Sequence, residues 1–423
     1  MNPRELLIAS FEAAVAAADP LKVVPPQLPA PPRGRTLVVG AGKAAAAMAR
    51  AVEDHWTASA PLEGIVITRY GHGLPTRRIR VVEAGHPVPD EQGEAAAREI
   101  LEKVRALGPD DLLLALVSGG GSSLLALPVE GIGMAELKAV TRDLLASGAP
   151  IQDMNTVRKH LSLIQGGRLA LACRAPVLAL VISDVTGDEP THIASGPCAP
   201  DPSTFAEAAE ILRRCGVRAP ASIASHIERG VRGAIGETPK PGDPAFARVE
   251  NRVIATAHAS LAAAAAFVRG HGITPMVLGD SVTGESSEVA KVYAALARGV
   301  RHHGEPQRPP LALISGGETT VTVRGKGRGG RCSEFLLSLA IELDGLPDTW
   351  ALACDTDGID GSEDNAGALM TPDTMARARA LGLAPRRLLA DNDGHGFFAP
   401  LGDLVTTGPT RTNVNDYRVI LVR

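Results

Sequence analysis

Leu112-Leu113-Leu114-Ala115-Leu116-Val117-Ser118-Gly119-Gly120-Gly121-Ser122-Ser123 reads as a strand that ends in a glycine turn. The run to Val117 is apolar throughout, the pattern of a strand buried on both faces. Gly119, Gly120 and Gly121 then let the backbone turn and show its N–H groups, and the hydroxyls of Ser118, Ser122 and Ser123 add donors. Open α/β sheets bind anionic ligands at such turns, at the carboxyl ends of parallel strands. The same design returns at Leu311–Thr320, where Leu-Ala-Leu-Ile runs into Ser315-Gly316-Gly317-Glu318. The pair predicts two Rossmann-like α/β lobes with an active-site cleft between them and a phosphorylated ligand in the cleft.

Upstream of the central strand, Arg35–Val39 runs into Gly40-Ala41-Gly42-Lys43 and a helix-forming alanine stretch, the opening of a βαβ unit. Downstream, the pattern predicts helices over 134–146 and 155–171. A buried strand over 175–182 follows, ending in Ser183-Asp184-Val185-Thr186-Gly187-Asp188. Gly, Pro, Glu and Lys alternate quickly over 233–244, which reads as a linker. Val253–Ala257 then begins a fresh βαβ, so domains are expected over 1–235 and 250–423. Strands are expected over 311–314 and 319–323 around the second Ser-Gly-Gly. The glycine-rich, cationic segment 325–331 leads into a helix, and a strand over 350–354 ends in Asp355-Thr356-Asp357-Gly358-Ile359-Asp360.

At 423 residues, two domains are the expectation. A formal charge of −4 offers no broad cationic field for nucleic acid. Cys173, Cys198, Cys215, Cys332 and Cys354 are scattered with no C-x-x-C, which suits a reducing compartment and gives no zinc site. The opening residues form an amphipathic stretch unlike a signal peptide, and no uncharged apolar run approaches membrane-spanning length. A cytoplasmic protein with no membrane partner is expected, and a homodimer stays open.

Gly40-x-Gly42-x-x-Ala45 fits the dinucleotide fingerprint, but the acidic residue expected at the end of the next strand is replaced by Arg69. Lys43 lies in the turn itself, where it could reach a phosphate or carboxylate. No Walker motif and no kinase H-R-D or D-F-G set is present. Phosphoryl transfer on another scaffold needs anion-cradling amides, carboxylates for a divalent metal and cations on the moving group. The two Ser-Gly-Gly turns supply the first, Asp184, Asp188, Asp355, Asp357 and Asp360 the second, and Lys43, Arg158 and Arg331 the third. Turn formation explains the Asp355–Asp360 spacing equally well, since the final Glu of a calcium loop is Ala366 here. Arg158-Lys159-His160 reads more readily as a solvated helix face than as a site.

These motifs together resemble the class II glycerate 2-kinases, the group with a C-terminal MOFRL domain. They are Gly-Ala-Gly-Lys (40–43), Gly-His-Pro-Val-Pro-Asp (85–90), Ser-Gly-Gly-Gly-Ser-Ser (118–123) and Asn-Thr-Val-Arg-Lys-His-Leu-Ser (155–162). Ser-Asp-Val-x-Gly-Asp (183–188), Ser-Gly-Gly-Glu-Thr-Thr (315–320), Gly-Gly-Arg (329–331), Thr-Asp-Gly-Ile-Asp-Gly (356–361) and Thr-Asn-Val-Asn-Asp (412–416) complete the set. The resemblance implies ATP- and Mg²⁺-dependent phosphorylation of D-glycerate to 2-phosphoglycerate by direct in-line transfer, with the MOFRL region at about 308–418. It places Lys43 and Arg331 at the reacting phosphate as catalytic groups. Gly40, Gly42, Ser118–Ser123 and Ser315–Gly317 are then expected to bind nucleotide phosphates, and Arg158, Asn155 and Glu318 the substrate. Asp184, Asp188, Asp355 and Asp357 are expected to hold the metal. Members often carry the label hydroxypyruvate reductase, so an NAD(P)H-dependent reductase is the alternative, with a non-catalytic sugar-acid or nucleotide sensor as a further rival. Cys332-Ser333 and Arg411 depart from the usual family residues.

Overall fold

The computed structural model describes residues 1–361 and 363–423. The chain divides into two compact units, Pro20–Ile254 and Met1–Asp19 with Ala255–Arg423. The first unit holds β1 (Thr36–Ala41), β2 (Leu62–Arg69), β3 (Ile79–Ala84), β4 (Leu112–Ser118), β5 (Val177–Ile182) and β6 (Val249–Ala255) in the order β3-β2-β1-β4-β5-β6. The pairs β1–β2, β2–β3, β1–β4 and β4–β5 are parallel. Strand order reverses between β1 and β4, and such a switch point is where doubly wound sheets bind ligands. The two glycine turns of this unit follow those two strands.

The second unit holds β7 (Thr274–Gly279), β8 (Leu311–Ser315), β9 (Thr349–Asp355), β10 (Gly367–Met370), β11 (Leu404–Val405) and β12 (Asp416–Val422) in the order β11-β10-β9-β12-β8-β7. This sheet is mixed. The C-terminal strand β12 runs antiparallel between β8 and β9, with Arg418 opposite Ser315 and Asp416 opposite Asp355. Because β12 is inverted, its beginning lies at the carboxyl ends of its neighbours. Thr-Asn-Val-Asn-Asp (412–416) therefore meets the second Ser-Gly-Gly and the Asp355 turn at one sheet edge.

The helix Pro3–Ala16 packs in the second unit, away from the 1–235 grouping expected from order along the chain. Its buried Leu6, Leu7, Phe11 and Ala14 join Leu261, Ala264, Val268 and Tyr417 in one core, and the Tyr417 hydroxyl donates to Ser10 Oγ at 2.9 Å. The segment expected as a linker belongs to the first unit: Thr238 is buried, and the Pro239 carbonyl accepts from Asp201 N at 2.8 Å. Its continuation, expected to open the second domain, is edge strand β6. The helix expected over 155–171 is two helices, Ile151–His160 and Arg168–Ala172. Gly166 and Gly167 between them take φ of +61° and +82°, values no helix allows. The strand expected at 319–323 is absent; Thr320 makes one isolated bridge to Glu285.

Candidate functional site

In the first unit the two glycine turns are locked together. Lys43 N–H donates to Gly119 O at 2.8 Å, Ala44 N–H to Ser118 Oγ at 3.1 Å and Gly42 N–H to Ile67 O at 3.1 Å. Only glycine permits this approach: at φ +138°, a Cβ on Gly42 would lie 2.1 Å from Ser118 Oγ. The fingerprint Gly40-x-Gly42-x-x-Ala45 thus spends the amides of Gly42, Lys43 and Ala44 on protein acceptors. Ser118 is likewise fully buried and serves the lock. Gly120 (φ +80°) carries the second turn outward, and a Cβ there would lie 2.9 Å from His86 Nε2 and 3.5 Å from Lys43 Cγ. Ser123 Oγ donates back to Gly120 O at 3.2 Å, and Ser122 Oγ faces Asn155 Oδ1 at 3.5 Å.

This corner is cationic. Burial and then the charges of Lys43, Arg69 and Arg158, with His72 adding to them, push the His86 imidazolium down to about 3, so the ring is neutral. Burial also draws Arg158 down to about 10. Among the described residues Arg158 has no carboxylate partner, and its head meets Asn155 Oδ1 at 3.4 Å. A desolvated guanidinium without a counter-charge is costly, and an anionic ligand would supply that charge. The neighbouring residues contradict the solvated-face reading: Lys159 is fully buried on Asp201 at 2.8 Å, and buried His160 meets Glu237 at 3.1 Å.

His86 also sets a pH dependence. An unfolded histidine protonates near pH 6.5 while folded His86 stays neutral to about 3, so the unfolded state binds the extra proton between those values. Its contribution is complete above about pH 6.5 and falls on acidification, by at most about 1.4 kcal/mol per pH unit before solvent screening. We expect His86→Gln to flatten the acid limb of the unfolding free energy relative to the wild type. Equal slopes in urea titrations between about pH 5 and 7 would remove His86 as the cause.

In the second unit Arg331 opens the helix Arg331–Leu343. Its Nε lies 2.7 Å from Asp416 Oδ1, Nη2 2.6 Å from Asp355 Oδ2 and Nη1 3.6 Å from Glu318 Oε1. These carboxylates raise its basicity against the opposing effect of burial. Arg418, fully buried, holds Asp416 from the other side and donates to Gly316 O at 3.1 Å and Thr319 Oγ1 at 3.0 Å. Asp360 caps the helix, accepting from Cys332 N at 2.9 Å and Ser333 N at 2.8 Å, and burial lifts its carboxyl to about 6. Among the described residues, Ser315 Oγ is buried with no hydrogen-bond partner. Sequence reasoning missed Asp416 and Arg418, whose only signal was the Asn-Val-Asn-Asp motif.

The expected metal carboxylates divide between the units. Asp355 uses Oδ2 on Arg331 and Oδ1 on Asp357 N, and Asp357 Oδ1 accepts from Ile359 N, so this pair forms turns and an ion pair. Asp184 and Asp188, both half-buried, follow β5, whose Ile182 lies beside Ser118. They follow the strand that pairs with β4, the strand that runs into the glycine turn, and Mg²⁺ would need only one or two such carboxylates when phosphates complete its shell. Among the described residues no group of three or more His, Cys, Asp or Glu side chains gathers for a metal. No described helix is long and apolar enough to cross a membrane.

Residues 6–228 match a domain of unknown function (DUF4147) and residues 311–416 the MOFRL family. A chain from Agrobacterium vitis with the provisional name hydroxypyruvate reductase is 50% identical, covering 100% of this chain and 95% of its own length. The D-glycerate 2-kinase of Thermotoga maritima is 38% identical over 99% of this chain and 98% of its own. The crystal structure of glycerate kinase from that organism superposes with a TM-score of 0.87 at 37% identity, covering 99% of both chains. With both domains in order and full-length similarity to glycerate 2-kinases, the chain belongs to the class II glycerate kinase family.

Proposed function

We propose that this protein transfers the γ-phosphoryl group of ATP to the 2-hydroxyl of D-glycerate, giving 2-phosphoglycerate and ADP. The observation that carries the reading is the first-unit corner, where Lys43, Arg69 and Arg158 surround a neutral His86 beside the Gly120 turn. A small carboxylate and a phosphate chain are the anions such a corner accepts. Arg158, with Asn155 and Ser122, takes the glycerate carboxylate and leaves the 2-hydroxyl toward the turn. The Gly120–Ser122 backbone and Lys43 hold the transferring group, and Lys43 offsets charge spreading over its equatorial oxygens. The glycerate oxygen forms the new P–O bond as the bond to the ADP oxygen breaks, and the hydroxyl proton passes to solvent water. Asp184 and Asp188 would hold Mg²⁺, which supplies further charge neutralisation at the nucleotide phosphates.

The reductase reading fits the geometry less well, because the fingerprint amides that would hold a dinucleotide pyrophosphate are bonded to Gly119, Ser118 and Ile67. We expect ADP release to require D-glycerate, ATP and a divalent metal together. NADPH oxidation with hydroxypyruvate that outruns ADP release would reverse the assignment.

A further inference from the structure

Ala194, Ser195 and Gly196 are three consecutive residues in the left-handed region, with φ of +51°, +58° and +56°. L-residues visit this region singly, since each pays a steric penalty there. An interlock holds the segment: Gly166 N–H donates to Ser195 O at 2.9 Å and Gly167 N–H to Gly196 O at 2.7 Å. The segment also presses on the glycine turn, where a Cβ on Gly121 would lie 2.5 Å from Ala194 Cβ. Strain of this kind persists only where the surroundings over-determine it, and it concentrates at functional sites.

The strain delivers one hydroxyl. Ser195 is fully buried; its Oγ donates to Asn155 Oδ1 at 3.1 Å and lies 2.8 Å from Ser122 Oγ. The Asn155 amide is oriented from its other end, because Nδ2 donates at 3.1 Å to the carbonyl of His192, which can only accept. Oδ1 must therefore face Ser195, and the same oxygen receives Arg158 Nη1 at 3.4 Å. That is the one polar contact of the Arg158 head among the described residues.

We propose that Ser195 is a positioning residue whose hydroxyl fixes Asn155, and through it the Arg158 guanidinium, for the carboxylate of the substrate. The inference rests on the reading of Arg158 as the glycerate anchor. Ser195→Ala and Ser195→Gly separate hydroxyl from strain: both delete the hydroxyl, while only glycine takes φ +58° without penalty. We expect both to raise KM for D-glycerate by roughly 10-fold, the scale of one hydrogen bond to a charged site, with kcat and KM for ATP within about twofold. Ser195→Gly should be the more stable of the two. In an Arg158→Ala background, Ser195→Ala should add little to the glycerate KM. Wild-type glycerate KM in both variants, a KM that follows stability, or full additivity with Arg158→Ala would each overturn the proposal. A readout without substrate keeps it separate from the kinase assignment: in the free protein, Arg158 Nε–H should exchange faster with solvent in both Ser195 variants. Unchanged exchange overturns the coupling, whereas loosened exchange in a protein that does not turn over D-glycerate leaves the coupling standing and the kinase assignment wrong.

Discussion

Lys43→Ala is expected to lower kcat by roughly 10²- to 10³-fold, the scale of removing one preorganised charge-stabilising group. The fold should survive. Lys43 joins the lock between the glycine turns through its backbone N–H on Gly119 O, a bond alanine keeps, and the side chain that leaves is half-exposed. Since charge builds on the transferring phosphoryl group only as the reaction proceeds, kcat should fall further than KM for ATP rises. The variant also carries a signature that needs no turnover. Lys43 is one of the cations that hold His86 near 3, so its removal should move the His86 titration upward in NMR. A variant with near wild-type kcat and an unmoved His86 would place Lys43 outside the site.

Arg331→Ala is expected to act first on stability. Its side chain is the shared partner of Asp355 and Asp416, whose side chains are 3% and 0% exposed. Removing one partner of a buried ion pair leaves an uncompensated charge, which costs about 3–5 kcal/mol. Arg418 continues to hold Asp416, which moderates the loss there. Arg331→Lys should restore only part, because an ammonium cannot place two N–H groups on two carboxylates as the guanidinium fork does. Chemical denaturation of both variants reads this directly. A kcat loss of two orders of magnitude or more with wild-type stability would instead put Arg331 on the moving phosphate, the role the family resemblance implied.

Local readings carried far. Leu112–Val117, Leu311–Ile314 and 350–354 announce strands through continuous apolar runs, and the glycines after them announce turns. What the sequence could not disclose is pairing across distance. Lys159 and His160 look solvated on their own helix, yet their partners Asp201 and Glu237 lie 42 and 77 residues on. The inverted β12, which begins at Asp416, inserts between β8 and β9, which end far earlier at Ser315 and Asp355, and no local period announces that Asp416 will face Asp355. Gly166-Gly167 is a break inside the stretch 155–171 that the pattern otherwise reads as one helix. The carboxylates Asp355 and Asp357 have the spacing of metal ligands and of Asx turns alike, and no local pattern announces that Arg331 will pair with the first and Ile359 N–H with the second.

Phosphorus and proton NMR of the product formed from ATP, Mg²⁺ and D-glycerate distinguishes transfer to the 2-hydroxyl from every rival reaction. A phosphate ester whose phosphorus couples to the single C2 proton, formed in step with ADP, is the expected product. A phosphorus coupled to the C3 methylene protons, or no new ester while NADPH is consumed with hydroxypyruvate, would contradict that assignment.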